Sequence, residues 1–300
     1  MHRPKHPVIH LVKCLIRRRS KMHELPLVFF TIFGQLSAGM VLLGSLNYLF
    51  NRSNHNTQII EKVNLVALVF MALGMLLASF HLGKPFRALN VIFGIGRSPM
   101  SNEIFTFGVL FGVTFGCVIL AYFSHLNNSN RWGFIKTLCQ RINQIPHISK
   151  ILALLLVILS LVFVWTIVLT YMLPTVKTWG TYYTAIQMYT AMLVLGGVMV
   201  AMLGFHRTGS IAFVIGALLI LLLKLPYINL MIEIAPQLTY DQYHWVAVQC
   251  GLLLVALILI AINSWRSKKI MMVYMLGFVC TLVAELCGRI AFYNLWTIPL

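Results

Sequence analysis

The sequence predicts an all-α integral membrane protein, built as a bundle of eight transmembrane helices. Of the 300 residues, 60% are hydrophobic and only 10% are charged, whereas about a quarter of the residues in a soluble domain are charged. The mean hydropathy is +0.87. The apolar residues form continuous runs of helix length rather than alternating patterns. Because lipid accepts only helices and closed barrels as spanning structures, these runs predict helices.

Eight apolar runs are long enough to cross the hydrocarbon core of a bilayer, which takes about 20 residues. Short segments that contain proline, glycine or charged residues separate the runs. The sixth run has the least distinct end, because it contains Lys224 and Pro226. The predicted spans cover residues 25–48, 63–82, 104–124, 150–173, 183–205, 210–230, 245–264 and 270–295.

The positive charges predict the orientation of the helices. The loops after the odd-numbered runs carry ten Lys and Arg residues, and the loops after the even-numbered runs carry five, with Lys224 counted among the five. Because Lys and Arg are enriched in short cytoplasmic loops, this bias places the first set of loops in the cytoplasm and both termini outside. The net charge of +17 therefore indicates membrane topology rather than nucleic-acid binding, since the cations stand singly between apolar runs.

The first 21 residues carry seven Lys or Arg residues and no acid, which opposes this orientation. Three interpretations remain open: a cytoplasmic anchor that inverts the topology, the positive region of a signal peptide, or an extension upstream of a true start at Met22. We favour the third, because a start at Met22 leaves a compact amino terminus and a consistent charge bias. The predicted organisation is a basic segment over 1–21, expected not to be translated, and a membrane anchor domain over 22–300.

Two acidic residues belong to hydrophobic segments and are candidate functional residues. Glu103 opens the third run, and Glu285 lies within the eighth. Burying a carboxylate in lipid costs several kcal/mol unless the group is paired or protonated. The remaining acids fall in predicted termini or loops: Glu24, Glu61, Glu233 and Asp241.

Glu285 has a candidate partner on its own helix. Arg289 follows four positions later, a spacing that places both side chains on one helix face, with the acid in the favourable position before the base. This pattern predicts an intramembrane pair. Two roles for the pair remain open, a structural ion pair that faces the bundle interior and a direct contact with a bound ligand.

Glu103 and His81 lie at the facing ends of two consecutive runs. The second run ends at His81 and the third starts just after Glu103, so antiparallel helices would bring both residues to one side of the membrane. Ser101 and Asn102 are candidate helix caps before Glu103, which makes a helix-start carboxylate the structural alternative. The intervening segment supplies three cations that could contact a ligand or a partner subunit: Lys84, Arg87 and Arg97. This arrangement suits proton acceptance from a lipid-soluble molecule.

The sequence argues against redox centres held by this chain. A haem-binding membrane subunit needs pairs of axial ligands, usually His, deep in facing helices, and no histidine lies near the middle of a run. The six cysteines form no C-x-x-C pair and lie mostly inside apolar runs, where cysteine acts as a small hydrophobe. We therefore expect no haem and no iron–sulfur cluster in this chain.

Motifs spread from residue 23 to the carboxyl end resemble one known family. The two most specific are the opening His23-Glu24-Leu25-Pro26-Leu27 and the stretch His81-Leu82-Gly83-Lys84-Pro85-Phe86-Arg87-Ala88-Leu89-Asn90, followed by Ser101-Asn102-Glu103. Supporting matches are Val162-Phe163-Val164-Trp165, Thr175-Val176-Lys177-Thr178-Trp179 and Glu285-Leu286-Cys287-Gly288-Arg289. Together they resemble the DmsC family, the membrane-anchor subunits of dimethyl sulfoxide reductase. Lys177 departs from the pattern, which leads us to expect a proline there.

The resemblance implies an eight-helix protein of the bacterial inner membrane with both termini in the periplasm. It implies a heterotrimer with a four-cluster iron–sulfur subunit and a molybdopterin catalytic subunit. It further implies that the chain oxidises menaquinol in anaerobic respiration and passes the electrons on without haem. The terminal reduction would belong to the catalytic subunit. In this chain, the residues tied by resemblance to quinol binding are His81 and Glu103.

Two hypotheses follow from the sequence. In the first, the His81 imidazole accepts one proton of menaquinol, and Glu103 accepts or relays the other. Lys84, Arg87 or Arg97 would then hydrogen-bond a quinone oxygen or hold the partner subunit. The alternative is a secondary transporter or a passive anchor, in which Glu103 and the Glu285–Arg289 pair are structural, although transporters more often show interrupted helices and internal repeats.

Overall fold

The computed structural model describes residues 25–51, 54–81, 91–125, 133–266 and 268–296. The side chains of Leu25, Asn54, Phe80, His81 and His125 lie outside this description. The described residues contain helices and no strands. In chain order the helices are α1 (Leu25–Phe50), α2 (Asn54–His81), α3 (Val91–Gly94), α4 (Pro99–His125), α5 (Gly133–Gln144), α6 (Ile148–Tyr171), α7 (Tyr182–Leu203), α8 (His206–Ile234), α9 (Pro236–Tyr240), α10 (Tyr243–Trp265) and α11 (Met271–Asn294).

Eight of these helices are long and apolar enough to cross a membrane: α1, α2, α4, α6, α7, α8, α10 and α11. This result confirms the predicted all-α class and the predicted spans. The helices extend beyond several apolar runs, since α2 begins at Asn54 and α4 begins at Pro99. The reason is physical: an apolar run marks the hydrocarbon segment, whereas backbone hydrogen bonding continues into the polar headgroup region.

The prediction that Lys224 belongs to a loop is wrong. Helix α8 runs without a break to Ile234, with Pro226 in its interior, and Lys224 is buried within it. Proline removes one hydrogen bond from a helix, but neighbouring helices allow it within a membrane span. By the same criterion Lys62, Lys150 and Arg207, counted with the loops after the odd-numbered runs, also lie within spanning helices. Seven loop cations therefore stand against four, and the direction of the charge bias is unchanged. Glu61 and Glu233 also lie within helices, α2 and α8.

Helix α1 is the centre of the bundle. It packs against α2, α6, α7 and α11, and 83% of its most apolar segment is buried, against 17% for α4. At its contact with α7, a Cβ atom on Gly39 would overlap the Met192 carbonyl oxygen, and one on Gly196 would overlap Gly39. Small residues let membrane helices approach closely. This contact fixes the separation of α1 and α7 close to the buried residues Gln35 and Met188.

Because consecutive spans run antiparallel, α4, α7 and α10 begin at the same end of the bundle at which α2, α6, α8 and α11 finish. We call this the Glu103 end. Part of it is closed by the turn between α6 and α7, where Trp179 Nε1 donates to the Phe292 carbonyl oxygen at 2.9 Å and Thr178 Oγ1 donates to that of Leu295 at 2.5 Å. The matching motif around Thr178 and Trp179 thus joins this turn to the end of α11.

Candidate functional site

Glu103 lies in the second turn of α4 with only 3% of its surface exposed. Its Oε1 atom has no hydrogen-bond partner. The Thr170 hydroxyl of α6 lies within hydrogen-bonding reach of the carboxylate. Leaving a buried acceptor unsatisfied costs about 1–3 kcal/mol. The carboxylate is therefore placed at the end of the bundle with one oxygen able to accept another hydrogen bond.

The expectation that Ser101 and Asn102 cap the helix before Glu103 is wrong, because α4 begins earlier, at Pro99. Proline suits the first position of a helix, where no backbone N–H is needed. Asn102 instead accepts a hydrogen bond from the Gly96 backbone N–H through Oδ1 at 2.7 Å. Gly96 has φ +78, a left-handed conformation that glycine adopts without steric cost. Asn102 thus fixes the turn that leads into α4.

The structure describes some of the cationic residues predicted for the site and not others. Arg97 is exposed in the turn between α3 and α4, close in sequence to Glu103 and at the same end. His81 is the last residue of α2, which also finishes at the Glu103 end, but its side chain is outside the description. Lys84 and Arg87 lie outside the described residues. The structure therefore brings Glu103, Asn102 and Arg97 to one end.

The interface between α4 and α6 beside Glu103 is polar. Thr106 and Thr166 share a hydrogen bond between their hydroxyl oxygens at 2.8 Å. Thr170 follows Thr166 one turn later and donates to the Thr166 carbonyl oxygen at 2.9 Å. Of these hydroxyls, that of Thr170 lies within hydrogen-bonding reach of the Glu103 carboxylate.

Arg289 is the cation at the centre of this region. Its Nη2 donates to Gln35 Oε1 at 2.5 Å, and its Nη1 contacts Met188 Sδ at 2.5 Å. Gln35 Nε2 also donates to Met188 Sδ, at 3.2 Å. These contacts tie α11 to α1 and α7. The charge of Arg289 attracts the carboxylates of both Glu103 and Glu285.

Tyr171 and Tyr293 lie close to both Glu103 and Arg289. Their ring centroids are 5.3 Å apart, and each tyrosine interacts electrostatically with both charged residues. The buried Tyr293 hydroxyl faces Tyr171 and Thr31 but makes no hydrogen bond of regular geometry. Hydroxyl groups that can both donate and accept protons therefore lie near the carboxylate and the guanidinium group.

The predicted Glu285–Arg289 pair faces the bundle interior, but its direct hydrogen bonds go to other residues. The Glu285 carboxylate accepts from Gln249 Nε2 at 3.4 Å. The Lys224 ammonium donates to Gln249 Oε1 at 2.7 Å. A series of hydrogen-bonded side chains thus connects α8, α10 and α11, and the two residues of the predicted pair attract each other only through the electrostatic field.

Sequence reasoning missed Lys224 and Gln249, and also Gln35 and Met188 beside Arg289. For the first three, the signal was a long polar side chain within an apolar run. Met188 gave no such signal, because methionine is common in apolar segments. Among the described residues, no three His, Cys, Asp or Glu side chains group closely enough to hold a metal ion. The groups that are present can accept, hold and donate protons.

Comparison with known proteins places the protein in one family. A family model described as "DMSO reductase anchor subunit (DmsC)" matches residues 19–295. Two proteins of Escherichia coli are similar over nearly their whole lengths. One, the YnfH chain of an anaerobic dimethyl sulfoxide reductase, is 26% identical over 293 residues, which cover 91% of this protein and 95% of the relative. The other, the C subunit of an anaerobic dimethyl sulfoxide reductase, is 26% identical over 294 residues, which cover 92% and 96%.

The C subunit of an anaerobic dimethyl sulfoxide reductase from Haemophilus influenzae is 31% identical over 137 residues, which cover 43% of this protein and 49% of that relative. The family match covers all eight spans and includes Glu103, Lys224, Glu285 and Arg289. The motifs around His81 and Glu103 therefore lie inside a match that extends over most of the sequence. The protein belongs to the DMSO reductase anchor subunit (DmsC) family.

Proposed function

We propose that this membrane anchor binds menaquinol at the Glu103 end, accepts its protons and lets its electrons pass to an iron–sulfur subunit. One observation carries the proposal: Glu103 is a buried carboxylate whose Oε1 atom has no hydrogen-bond partner. A quinol hydroxyl that donates to this oxygen would supply the missing hydrogen bond. The same contact would bring the proton to be removed within reach of a base.

Oxidation of menaquinol breaks two O–H bonds and releases two protons and two electrons. We assign one proton to the Glu103 carboxylate and the other to the His81 imidazole, because α2 finishes at the end where α4 begins. Imidazole titrates near neutral pH, which suits proton acceptance under working conditions. The electrons would leave to a cluster in the partner subunit rather than to a group held by this protein.

The remaining predicted residues have supporting roles in this proposal. Arg97, together with Lys84 and Arg87, would hydrogen-bond a quinone oxygen or hold the partner subunit. Asn102 and its neighbour Ser101 shape the turn that presents Glu103. Arg289 places a positive charge near both buried acids, and such a charge favours the ionised, proton-accepting form of a carboxylate.

Membership of an anchor-subunit family supports a proposal for the assembly. We propose a heterotrimer in the bacterial inner membrane, formed with a four-cluster iron–sulfur subunit and a molybdopterin catalytic subunit. The charge bias supports a periplasmic position for the Glu103 end and for both termini, because the loops at the opposite end carry most of the cations. The partners would therefore dock on the periplasmic face.

A fluorescent menaquinol-analogue inhibitor tests the proposal in membranes that contain the assembled complex. We expect saturable quenching with the wild-type protein and its loss in Glu103→Gln and His81→Leu. The matched controls are Glu233→Gln and His244→Leu, two exposed side chains at the same end, which should bind normally. Wild-type quenching in both site variants would refute the assignment. Absence of quenching in every protein, the wild type included, would favour a transporter or a passive anchor.

A further inference from the structure

Lys224 has no part in the proposed quinol site, yet it is buried inside a transmembrane helix. It lies ten residues before the end of α8 at Ile234, about 15 Å from the Glu103 end at 1.5 Å per residue. Leu222 and Leu225 on the same helix are 70% and 72% exposed, whereas Lys224 is 7% exposed. The lysine therefore faces the bundle. An ionisable side chain at such a depth is costly and marks a functional candidate.

The buried charges of the protein form a balanced set. Among the residues that the structure describes, four charged side chains are buried: Glu103, Lys224, Glu285 and Arg289. Two are acids and two are bases, so the set is neutral when all four are ionised. A proton that arrives at Glu103 adds one positive charge to a region of low dielectric constant. The protonated Glu103 is neutral, so Arg289 loses one of its two anionic neighbours and the set carries a net positive charge, which favours onward release of the proton.

Two small cavities adjoin the hydrogen-bonded series of Lys224, Gln249 and Glu285. The first, of about 30 Å³, is lined by all three residues and by Arg289. The second, of about 10 Å³, extends from Lys224 to Thr239 and other residues at the Glu103 end. A cavity needs roughly 10–15 Å³ to hold one water molecule. Together the cavities have space for about three water molecules by the same measure, and neither could hold a quinone ring.

Side chains that line both cavities indicate that they contain water. Gln187 lines both. Its buried Nε2 atom makes no hydrogen bond of regular geometry, although the Tyr227 hydroxyl lies nearby. Buried amide donors without a protein partner are normally satisfied by water. Gly288 also lines both, and a Cβ atom there would overlap the Gln249 side chain. The glycine thus leaves the space in which Gln249 connects Lys224 to Glu285.

The second cavity leads towards the surface. Its lining includes Thr239 and Gln242, from the segment between α8 and α10, and Tyr243, which is partly exposed at the start of α10. These polar groups can hydrogen-bond water along the path. The sequence of groups therefore runs from Arg289 and Glu285, past Lys224 and Gln187, to the Glu103 end of the bundle.

We propose that Glu285, Gln249 and Lys224, with water in these two cavities, form a proton exit route from the quinol site to the surface near Gln242. This inference rests on the proposed function, because the protons are those that Glu103 takes from menaquinol. It goes further by giving a role to residues on α8, α10 and α11 that the quinol site does not use.

The transfer is balanced at each step and moves no electrons. The O–H bond on Glu103 breaks, and the proton passes to the hydroxyls of Tyr171 and Tyr293, which lie near Glu103; each gains one proton and gives up its own. The proton then reaches water in the first cavity, which Glu285 lines. An O–H bond forms on Glu285 and then breaks as the proton moves to water in the cavities and leaves at the surface. Lys224 neither gains nor loses a proton in this sequence of steps. Its Nζ atom donates to Gln249 Oε1 and so holds Gln249 beside Glu285.

The test uses the complete complex reconstituted in lipid vesicles. Menaquinol-dependent turnover is compared with turnover driven by a water-soluble reductant that donates electrons directly to the iron–sulfur subunit. For Glu285→Gln we expect quinol turnover to fall by at least about tenfold, in line with loss of a proton-transfer group. Inhibitor binding and turnover with the direct reductant should stay at wild-type levels, and the solvent deuterium isotope effect on quinol turnover should rise.

Three further variants sharpen the test. Glu285→Asp keeps a carboxylate and should recover most of the quinol turnover. Gln187→Leu removes an amide that makes no hydrogen bond of regular geometry and should lower quinol turnover without preventing assembly. Glu233→Gln, on the exposed surface of α8, is the control and should behave as wild type. If the Glu285→Gln complex fails to assemble, its turnover with the direct reductant will also be lost. Quinol turnover of the Gln187→Leu complex then tests the exit route.

The outcomes are distinct. Wild-type quinol turnover in the assembled Glu285→Gln complex, or in Gln187→Leu if that variant has to decide, overturns the exit route. Loss of inhibitor binding in Glu285→Gln also overturns it, because that result would place Glu285 in the quinol pocket itself. Failure of the proposed function is separate: it would appear as wild-type quinol turnover in Glu103→Gln, whatever the variants of the exit route do.

Discussion

The two buried carboxylates, Glu103 and Glu285, share one cation but differ in their hydrogen bonding. Both are less than one tenth exposed, and both are attracted by Arg289. Glu103 has an oxygen without a partner and the Thr170 hydroxyl nearby. Glu285 is tied through Gln249 to Lys224. Glu103 therefore has an oxygen that is free to accept a hydrogen bond, whereas Glu285 belongs to a hydrogen-bonded network.

Burial alone therefore does not identify a substrate-binding acid in a membrane protein. An acid that is held by a network can carry protons, but its hydrogen bonds would have to break before a ligand could replace them. An acid such as Glu103, which has one oxygen without a hydrogen-bond partner, gains that partner when a ligand hydroxyl binds. The structure thus supports substrate contact at Glu103 and proton transfer at Glu285.

The largest effect on stability is expected when the shared cation is removed. Arg289→Met leaves both acids without their common positive charge and Gln35 without its donor. Breaking a buried charge pair from one side destabilises a protein by about 3–5 kcal/mol, so this variant should assemble poorly. Unfolding in detergent measures the effect, with Arg207→Met, at an exposed arginine, as the control. Equal stability of the two variants would contradict a shared role for Arg289.

Neutralising the two acids separately should affect stability unequally. Glu285→Gln should lower the unfolding free energy by about 1–3 kcal/mol, because Lys224 loses its nearby buried countercharge. Glu103→Gln should change it by less than about 1 kcal/mol, since the amide oxygen can still accept from Thr170 and the oxygen that is lost has no hydrogen-bond partner. Thermal unfolding of the two variants under one condition provides the measurement. A larger loss for Glu103→Gln would reverse the comparison.

The connection between Lys224 and Glu285 should appear as coupling between their variants. Lys224→Met alone removes a positive charge that offsets the buried charge of Glu285. Glu285→Gln alone removes a negative charge that offsets the buried charge of Lys224. The double variant removes both charges, so its destabilisation should be smaller than the sum of the single effects by about 1–2 kcal/mol, within the range for residues of one network. Chemical unfolding of the four proteins measures this coupling. Strict additivity would show that Gln249 does not join the two groups.

The smallest effect concerns the hydroxyl beside Glu103. Thr170→Val removes a neutral hydrogen-bonding group worth about 1 kcal/mol, so quinol turnover should fall only about fivefold. Thr137→Val, at an exposed threonine of α5, should leave turnover unchanged. Steady-state assays of both variants with menaquinol make this comparison. No change in Thr170→Val would show that this hydroxyl does not assist the carboxylate.

The sequence predicted the fold class well because lipid imposes one rule on every span. Each crossing needs a long apolar run, and such runs can be read locally. Glu103, Glu285 and Arg289 were recognisable for a related reason, since a charge within an apolar segment is rare. The orientation stays a prediction, because it rests on counts of cations in the sequence.

The failures arose where packing or backbone geometry decides. Lys224 was placed in the sixth run but also counted among the loop cations, because the end of that run was indistinct, whereas α8 continues through Pro226 to Ile234. Asn102 was taken as a cap because the apolar run starts five residues after the helix does. The partners of Arg289 depend on which faces of α1 and α7 meet α11, and no local pattern specifies that arrangement.

Menaquinol-dependent turnover of the assembled complex with Glu103→Gln tests most directly whether Glu103 accepts the protons of the quinol. The complex with Glu233→Gln serves as the comparison. We expect menaquinol-dependent turnover to fall at least about 100-fold in Glu103→Gln, because a proton-accepting group is removed. Turnover with a reductant that bypasses the quinol should stay at the wild-type level in both variants. Wild-type quinol turnover in Glu103→Gln would show that this carboxylate does not accept the protons of the quinol.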